Sequence, residues 1–460
     1  MVDVVNIMEL SPDMIREAMG RGEVTIGVFG LGRMGLPTAC LFAEAGAEVI
    51  GVDINPHVIN MINAGKSPVD EPGLQPLIQR HVLQGRLNAT DDVGGAASGS
   101  DVIVIVVPTL VDEQKRPDYL AVERVCRGIG LRLRGGCLVI FESTVGPGVT
   151  ERLVRDGLET ASGLEAGVDF GLAYSPIRAT AGRVLKDLSA YPRVVAGLDV
   201  GSLEAASAVL GAVVRGGLVK VRDIRTAEAT KLFENVYRDV NIALANELAL
   251  FCERAGIRFE EAKEAANTQP YCHLHTPSIG VGGHCIPVNP YFLIEVAEDL
   301  KVDLRLVKGA RRINDRMPAH TFRLVVEGLR ACGKTLRRSK VAVLGVSYRA
   351  NVKEARSSPS RQVIEMLLKR GAKVCVYDPY FRIKEVEAMG YPAVESLEMA
   401  VEDADCILAA VGHDTFTGIR LEELTRLVRR PACLVDACHL FDAEEAAEAG
   451  FVYREVGSGA

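Results

Sequence analysis

The stretch from Val24 to Asp53 constrains this chain most. A continuous apolar run, Val24 to Phe29, leads into Gly30-x-Gly32-x-x-Gly35, and a small-residue helical pattern follows through Ala45. A second apolar run then ends at Asp53, 18 residues beyond the last glycine. Runs apolar on both faces read as parallel strands covered by helices. The glycines permit a tight turn and close approach of a pyrophosphate, towards which the helix N-terminus directs free N–H groups. An acid ending the second strand accepts bonds from the adenosine ribose and repels a 2′-phosphate, which favours NAD over NADP. A lone G-x-G-x-x-G is compatible with a bare packing turn. In this strand–turn–helix–strand–Asp setting it reads as a dinucleotide site.

The same alternation continues through Val102–Val107 and Cys137–Phe141, then restarts at Lys340 and repeats itself. Val341 to Gly345 echoes Ile26 to Gly30, Gly371 to Asp378 echoes Gly46 to Asp53, and Ala404 to Leu408 echoes Ser100 to Val104. Between the halves lie one long helical pattern, Arg225 to Ala255, and a Pro/Gly/His-rich loop, Asn267 to Pro290. The 460 residues are too many for one ordinary domain. The expected architecture is α/β, two doubly wound Rossmann-like domains joined by a central long-helix segment. Its divisions are a 1–22 N-terminal extension, 23–210, 211–330 and 331–460.

Composition narrows the partners. Hydrophobic residues at 48% and charged residues at 25% exclude a disordered chain. Lys and Arg total 53 against 60 Asp and Glu, and this net −7 argues against nucleic acid or an anionic membrane as the main partner. No apolar run approaches the roughly 20 residues of a membrane helix. The acidic start, with Asp3, Glu9, Asp13 and Glu17, does not read as a secretory signal. Eleven cysteines without C-x-x-C or zinc spacing suggest reduced thiols, a cytoplasmic chain and no metal site.

Three features carry chemistry. After Gly345 a polar insertion runs to Arg356 at a strand's carboxyl end. It reads as a solvated loop or as a second nucleotide or phosphate site with Arg349 and Arg356 as charge partners, and its place favours the second. On the long helix Lys231 and Asn235 stand i, i+4 and Arg238 continues their face, which suits either solvent exposure or a wet site. Cys285 follows Gly280, Gly282, Gly283 and His284. Beside NAD a thiolate there can trap an aldehyde as a thiohemiacetal, which loses hydride to give a thioester for water to cleave. A structural loop cysteine is the plainer alternative.

At these residues the sequence resembles the UDP-glucose/GDP-mannose dehydrogenase family, from about Val24 to Phe441. The resemblance is carried by Gly30–Pro37, Val107–Thr109, Ser143–Val145, Gly283–Pro287 and Arg311–Pro318. Lys231–Ala243 and Gly280–Cys285 are similar to the branch that oxidises UDP-N-acetylhexosamines, UDP-N-acetylmannosamine above all. The resemblance implies four-electron oxidation of the sugar C6 alcohol to a carboxylate with two NAD per sugar, in a homodimer or larger homo-oligomer with the long helix at its interface.

By the same resemblance Cys285 is the nucleophile and Lys231 stabilises the oxyanion. Asn235 holds substrate or water, and Arg238 completes the sugar site. Arg33, Met34, Asp53, Thr109, Thr144 and Arg356 match cofactor-contacting positions. Arg178, Ala179, Gly282, Tyr348 and Arg349 match UDP-sugar positions, Arg349 replacing a lysine. Four departures stand out. Ile177 occupies the place of a glutamate that assists proton transfer or hydrolysis. Asn289 replaces an aspartate and can orient water but not act as a base. Tyr271 stands where an arginine often reaches the neighbouring subunit's substrate, and Cys438 where a basic residue is common.

Overall fold

The computed structural model describes residues 5–459. In chain order its strands are β1 (Thr25–Phe29), β2 (Glu48–Val52), β3 (Leu87–Thr90), β4 (Val102–Ile105), β5 (Leu110–Val111), β6 (Pro117–Asp118), β7 (Leu138–Phe141), β8 (Gly171–Tyr174), β9 (Arg193–Gly197), β10 (Leu218–Lys220), β11 (Lys340–Leu344), β12 (Lys373–Tyr377), β13 (Cys406–Ala409), β14 (Cys433–Asp436) and β15 (Val452–Glu455). Eight form one sheet in the order β10-β9-β8-β7-β4-β1-β2-β3, five form another in the order β12-β11-β13-β14-β15, and β5 with β6 makes a short ribbon. Both large sheets are parallel except where β8 meets β9. The mixed α/β architecture expected from the alternating runs is present.

The apolar runs become strands because each face of the pleat has its own helix layer to bury into. Val102 and Val104 enter one core cluster, and Ile103 and Ile105 the other. The second sheet divides likewise, Val341 and Val343 to one side, Ala342 and Leu344 to the other. In both sheets the chain leaves the first strand towards one edge and returns on its other side, opening a crevice at the carboxyl ends of β1 and β4 and of β11 and β13.

The chain divides into two compact units. One holds the chain up to Glu234 plus Tyr291–Val302, the other Asn235–Pro290 plus the chain from Asp303 onward. In the first unit, the helix Pro12–Arg21 packs on the helix Val200–Gly211. In the second, the helix Arg305–Ala331 is tied to the long helix Ile224–Ala255 by buried polar groups. Arg311 pairs with Asp239 at 2.5 Å, Asn314 donates to Asp239 at 2.8 Å and Asn246 donates to Asn314 at 2.9 Å. Ser278 N–H donates to Asn246 Oδ1, so this network also fastens the glycine-rich loop. Among the described residues no helix is long and apolar enough to cross a membrane.

Candidate active site

The first crevice is built by its glycines. A Cβ on Gly35 would lie 1.8 Å from the Gly30 carbonyl oxygen, and one on Gly30 would lie 2.3 Å from that of Val106. Those two positions close the turn and seat the helix Gly35–Glu44 on the sheet. A Cβ on Gly32 would meet nothing within 4 Å, so the middle glycine faces the open space that a pyrophosphate needs. Asp53 steadies this loop, since Oδ2 accepts from Leu31 N–H at 2.9 Å and Oδ1 from Asn55 N–H at 2.9 Å. On the neighbouring strand ends Thr109 donates to the Thr144 carbonyl and Ser143 to that of Val107, each at 2.7 Å. The open space at Gly32 and the polar groups of Asp53, Thr109 and Thr144 are compatible with such a group.

Lys231 and the Ser175–Ile177 segment meet in the same unit. Lys231 Nζ donates to the Ile177 carbonyl oxygen at 2.6 Å. Ile177 is 9% exposed and packs with Val184, Leu188 and Met34, so position 177 presents an apolar group there. Arg178 pairs with Glu234 and donates to the Pro192 carbonyl at 2.9 Å. Ala179 packs against the Ile177 cluster.

Beneath this segment are carboxylates with no motif to announce them. Glu142, immediately before Ser143, is fully buried and paired with Arg193, which also donates to Ser175 Oγ at 2.9 Å. Burial raises the Glu142 carboxyl above its ordinary range against the pull of Arg193. Glu228, one turn before Lys231, accepts from Gly148 N–H at 2.5 Å and Thr150 N–H at 2.8 Å. Burial pushes its carboxyl up to about 7. It clamps the loop after Thr144 to the long helix. Its spacing from Lys231 was the one available signal.

The second unit places Cys285 on its exposed loop as a free thiol. The preceding glycines lie against the insertion after β11, since a Cβ on Gly282 would come 2.8 Å from Tyr348 Cβ and one on Gly283 2.9 Å from the Tyr348 ring. His284 faces Glu354 at 3.4 Å. The Cys285 carbonyl accepts from Asn289 N–H at 2.8 Å, joining the cysteine to the first turn of the helix Asn289–Asp299. Asn289 is 3% exposed, and among the described residues its Nδ2 has no partner. Arg349 and Arg356 lie on the exposed part of the insertion, Arg238 is exposed on the long helix and Asn235 is buried there. Tyr271 stands out at 91% exposure.

The insertion itself repeats the first crevice in another chemistry. Asp378 follows β12 as Asp53 follows β2, and its Oδ2 accepts from Val346 and Ser347 N–H. His413 Nδ1 accepts from Asn351 N–H at 3.0 Å, leaving Nε2 to donate to Asp378 at 3.2 Å. Burial raises the Asp378 carboxyl, but His413 and the backbone N–H groups outweigh it and hold it below its usual range.

Sequence comparison decides the family. The signatures of the NAD-binding, central and UDP-binding domains of the UDP-glucose/GDP-mannose dehydrogenase family match residues 24–211, 225–316 and 342–443. The chain belongs to that family. It is an NAD-dependent nucleotide-sugar dehydrogenase, an oxidoreductase. A UDP-N-acetyl-D-mannosamine dehydrogenase of Pyrococcus horikoshii is 37% identical over 94% of this chain and 99% of its own. The solved structure of the Pyrococcus horikoshii protein superposes with a TM-score of 0.87 over 95% of this chain and 99% of that one. An NDP-N-acetyl-D-galactosaminuronic acid dehydrogenase of Ralstonia nicotianae is 35% identical over 87% of this chain and 93% of its own. The family's three domains occur here in its order, and the NAD domain coincides with the crevice whose glycines leave space at Gly32.

Proposed function

We propose that this dehydrogenase oxidises the C6 alcohol of a UDP-N-acetylhexosamine, UDP-N-acetyl-D-mannosamine first among them, to the uronate. The observation that carries the reading is the seating of Gly282 and Gly283 against Tyr348, which puts the exposed Cys285 thiol on the same loop system as the UDP-binding domain. The Pyrococcus relative's name supplies the sugar.

Held at Gly30, Gly32 and Gly35, NAD would supply the hydride acceptor for each of two oxidations. The alcohol loses a hydride and a proton to give an aldehyde. The Cys285 sulfur then adds to the aldehyde carbon, forming a thiohemiacetal whose oxyanion Lys231 stabilises. Loss of its hydride gives the thioester, and water cleaves this to the carboxylate and the free thiol. Asn235 and Arg238 hold the sugar, Arg178, Ala179, Gly282, Tyr271, Tyr348 and Arg349 the remaining substrate contacts, and Arg33, Met34, Asp53, Thr109, Thr144 and Arg356 the cofactor. With Ile177 apolar, the unpartnered Asn289 amide orients the hydrolytic water.

The long helix exposes Phe233, Tyr237, Leu244 and Phe251 at helical spacing, an apolar stripe that suits the homodimer or larger assembly of our reading. A cytoplasmic location accords with the cofactor and with eleven free thiols.

NADH formed per limiting UDP-N-acetyl-D-mannosamine, with mass spectrometry of product and protein, tests the proposal. Two NADH and a free uronate support it. Two NADH per enzyme site and no further turnover, with a sugar-acyl adduct on Cys285, means that water does not clear the thioester. UDP-sugar binding without NADH indicates a catalytically impaired homologue, the reading that Ile177 favours, and faster turnover of UDP-glucose, UDP-N-acetylglucosamine or UDP-N-acetylgalactosamine reassigns the sugar.

A further inference from the structure

We propose that a pocket at the amino-terminal edge of the second sheet binds a small phosphorylated anion. The pocket measures about 310 Å3 and is lined by Arg330, Lys334, Thr335, Arg337 and Arg370 over an apolar floor that includes Leu336. Among the described residues no carboxylate lines it. Lys334 is committed to Asp405 at 2.8 Å. Among the described residues no carboxylate pairs with Arg330, Arg337 or Arg370, so three guanidinium charges face a concave surface in a chain whose net charge is −7.

Their stems are already placed. The Arg370 guanidinium lies 5.1 Å from the Phe322 ring centroid. Arg337 Cγ runs so close over Gly371 that a Cβ there would come within 3.3 Å of it. A guanidinium held this way loses less freedom when it closes on a ligand. The helices Arg305–Ala331 and Pro359–Lys369 end beside the pocket, and each carbonyl end brings roughly −0.5 charge, so three guanidinium groups leave about +2. That charge matches a phosphate dianion, and the guanidinium fork matches its paired oxygens. The Thr335 hydroxyl adds a neutral donor. The UDP domain's insertion leaves the opposite end of β11, about 16 Å away by strand length, so the pocket is a separate site.

The test is calorimetric titration of inorganic phosphate and pyrophosphate into the full chain, with NADH and UDP-N-acetyl-D-mannosamine present to fill the nucleotide sites. Binding is expected, stronger for pyrophosphate if the ligand is a diphosphate and equal if it is a monoester. Arg337→Ala and Arg370→Ala each weaken it roughly tenfold. Arg330→Gln, on another helix, weakens it independently, and the NADH formation rate without added anion stays at the parent value. No binding by the parent chain, or an affinity in all three variants equal to the parent's, overturns the proposal.

Discussion

Glu142 and Arg193 form an ion pair with both side chains withdrawn from solvent, joining the carboxyl end of β7 to β9 directly beneath Ser175. Arg193→Met strands a buried carboxylate and is expected to cost about 3–5 kcal/mol in urea unfolding. Glu142→Leu with Arg193→Met removes both charges and recovers most of that loss. A double variant no more stable than Arg193→Met alone would show that the pair contributes more than charge compensation.

The three glycines of the cofactor loop are expected to separate into two kinds. Gly35→Ala drives a methyl into the Gly30 carbonyl and lowers stability by about 2 kcal/mol or more, read as a drop in Tm. Gly32→Ala has open space, so its Tm without ligand stays unchanged while its Kd for NAD rises about tenfold or more. Equal stability losses in both variants would contradict the assignment of Gly32 to the cofactor side.

Glu228 gives the fold a dependence on pH. Its folded pKa of about 7 lies above the ordinary carboxylate value of 4.5, so its contribution is fully present below about pH 4.5 and is lost as pH rises through 7. The loss is expected to reach about 3 kcal/mol at most. Glu228→Gln removes this dependence and forfeits one of the two backbone bonds at Gly148 and Thr150. Unfolding measured from pH 5 to 8 checks the sign, and a parent chain that gains stability from this group as pH rises would refute it.

Cys285→Ser is expected to stop the second oxidation while leaving NAD binding intact. Quench-flow should then find at most one NADH per sugar and an aldehyde in place of the acid, with kcat for acid formation down by about 10³ or more. Asn289→Ala, by the water-orienting reading, slows clearance of the thioester, so adduct on Cys285 accumulates. Undiminished turnover in Asn289→Ala removes that role.

What was legible in the sequence followed from periodicity and from backbone constraint. The paired apolar runs at Val102–Ile105 and Val341–Leu344 announced two sheets because each face needed its own cover. The spacing of Gly30, Gly32, Gly35 and Asp53 announced a ligand crevice because few other residues can take those places. The supporting charges were not legible. Glu142 meets Arg193 across 51 positions and Glu228 meets Gly148 across 80, and no local pattern records a pairing at such separation. His413 with Asp378 is likewise visible only once β12 and β13 flank the same strand.

The bond from Lys231 to the Ile177 carbonyl has a consequence for variation. A carbonyl belongs to every amino acid, so the tether of the lysine survives any exchange of side chain at position 177. An acidic or an apolar residue can stand there without casting the lysine adrift. Mutational scanning at 177 therefore varies the side chain beside a fixed ammonium, a freedom that a side-chain tether would have denied.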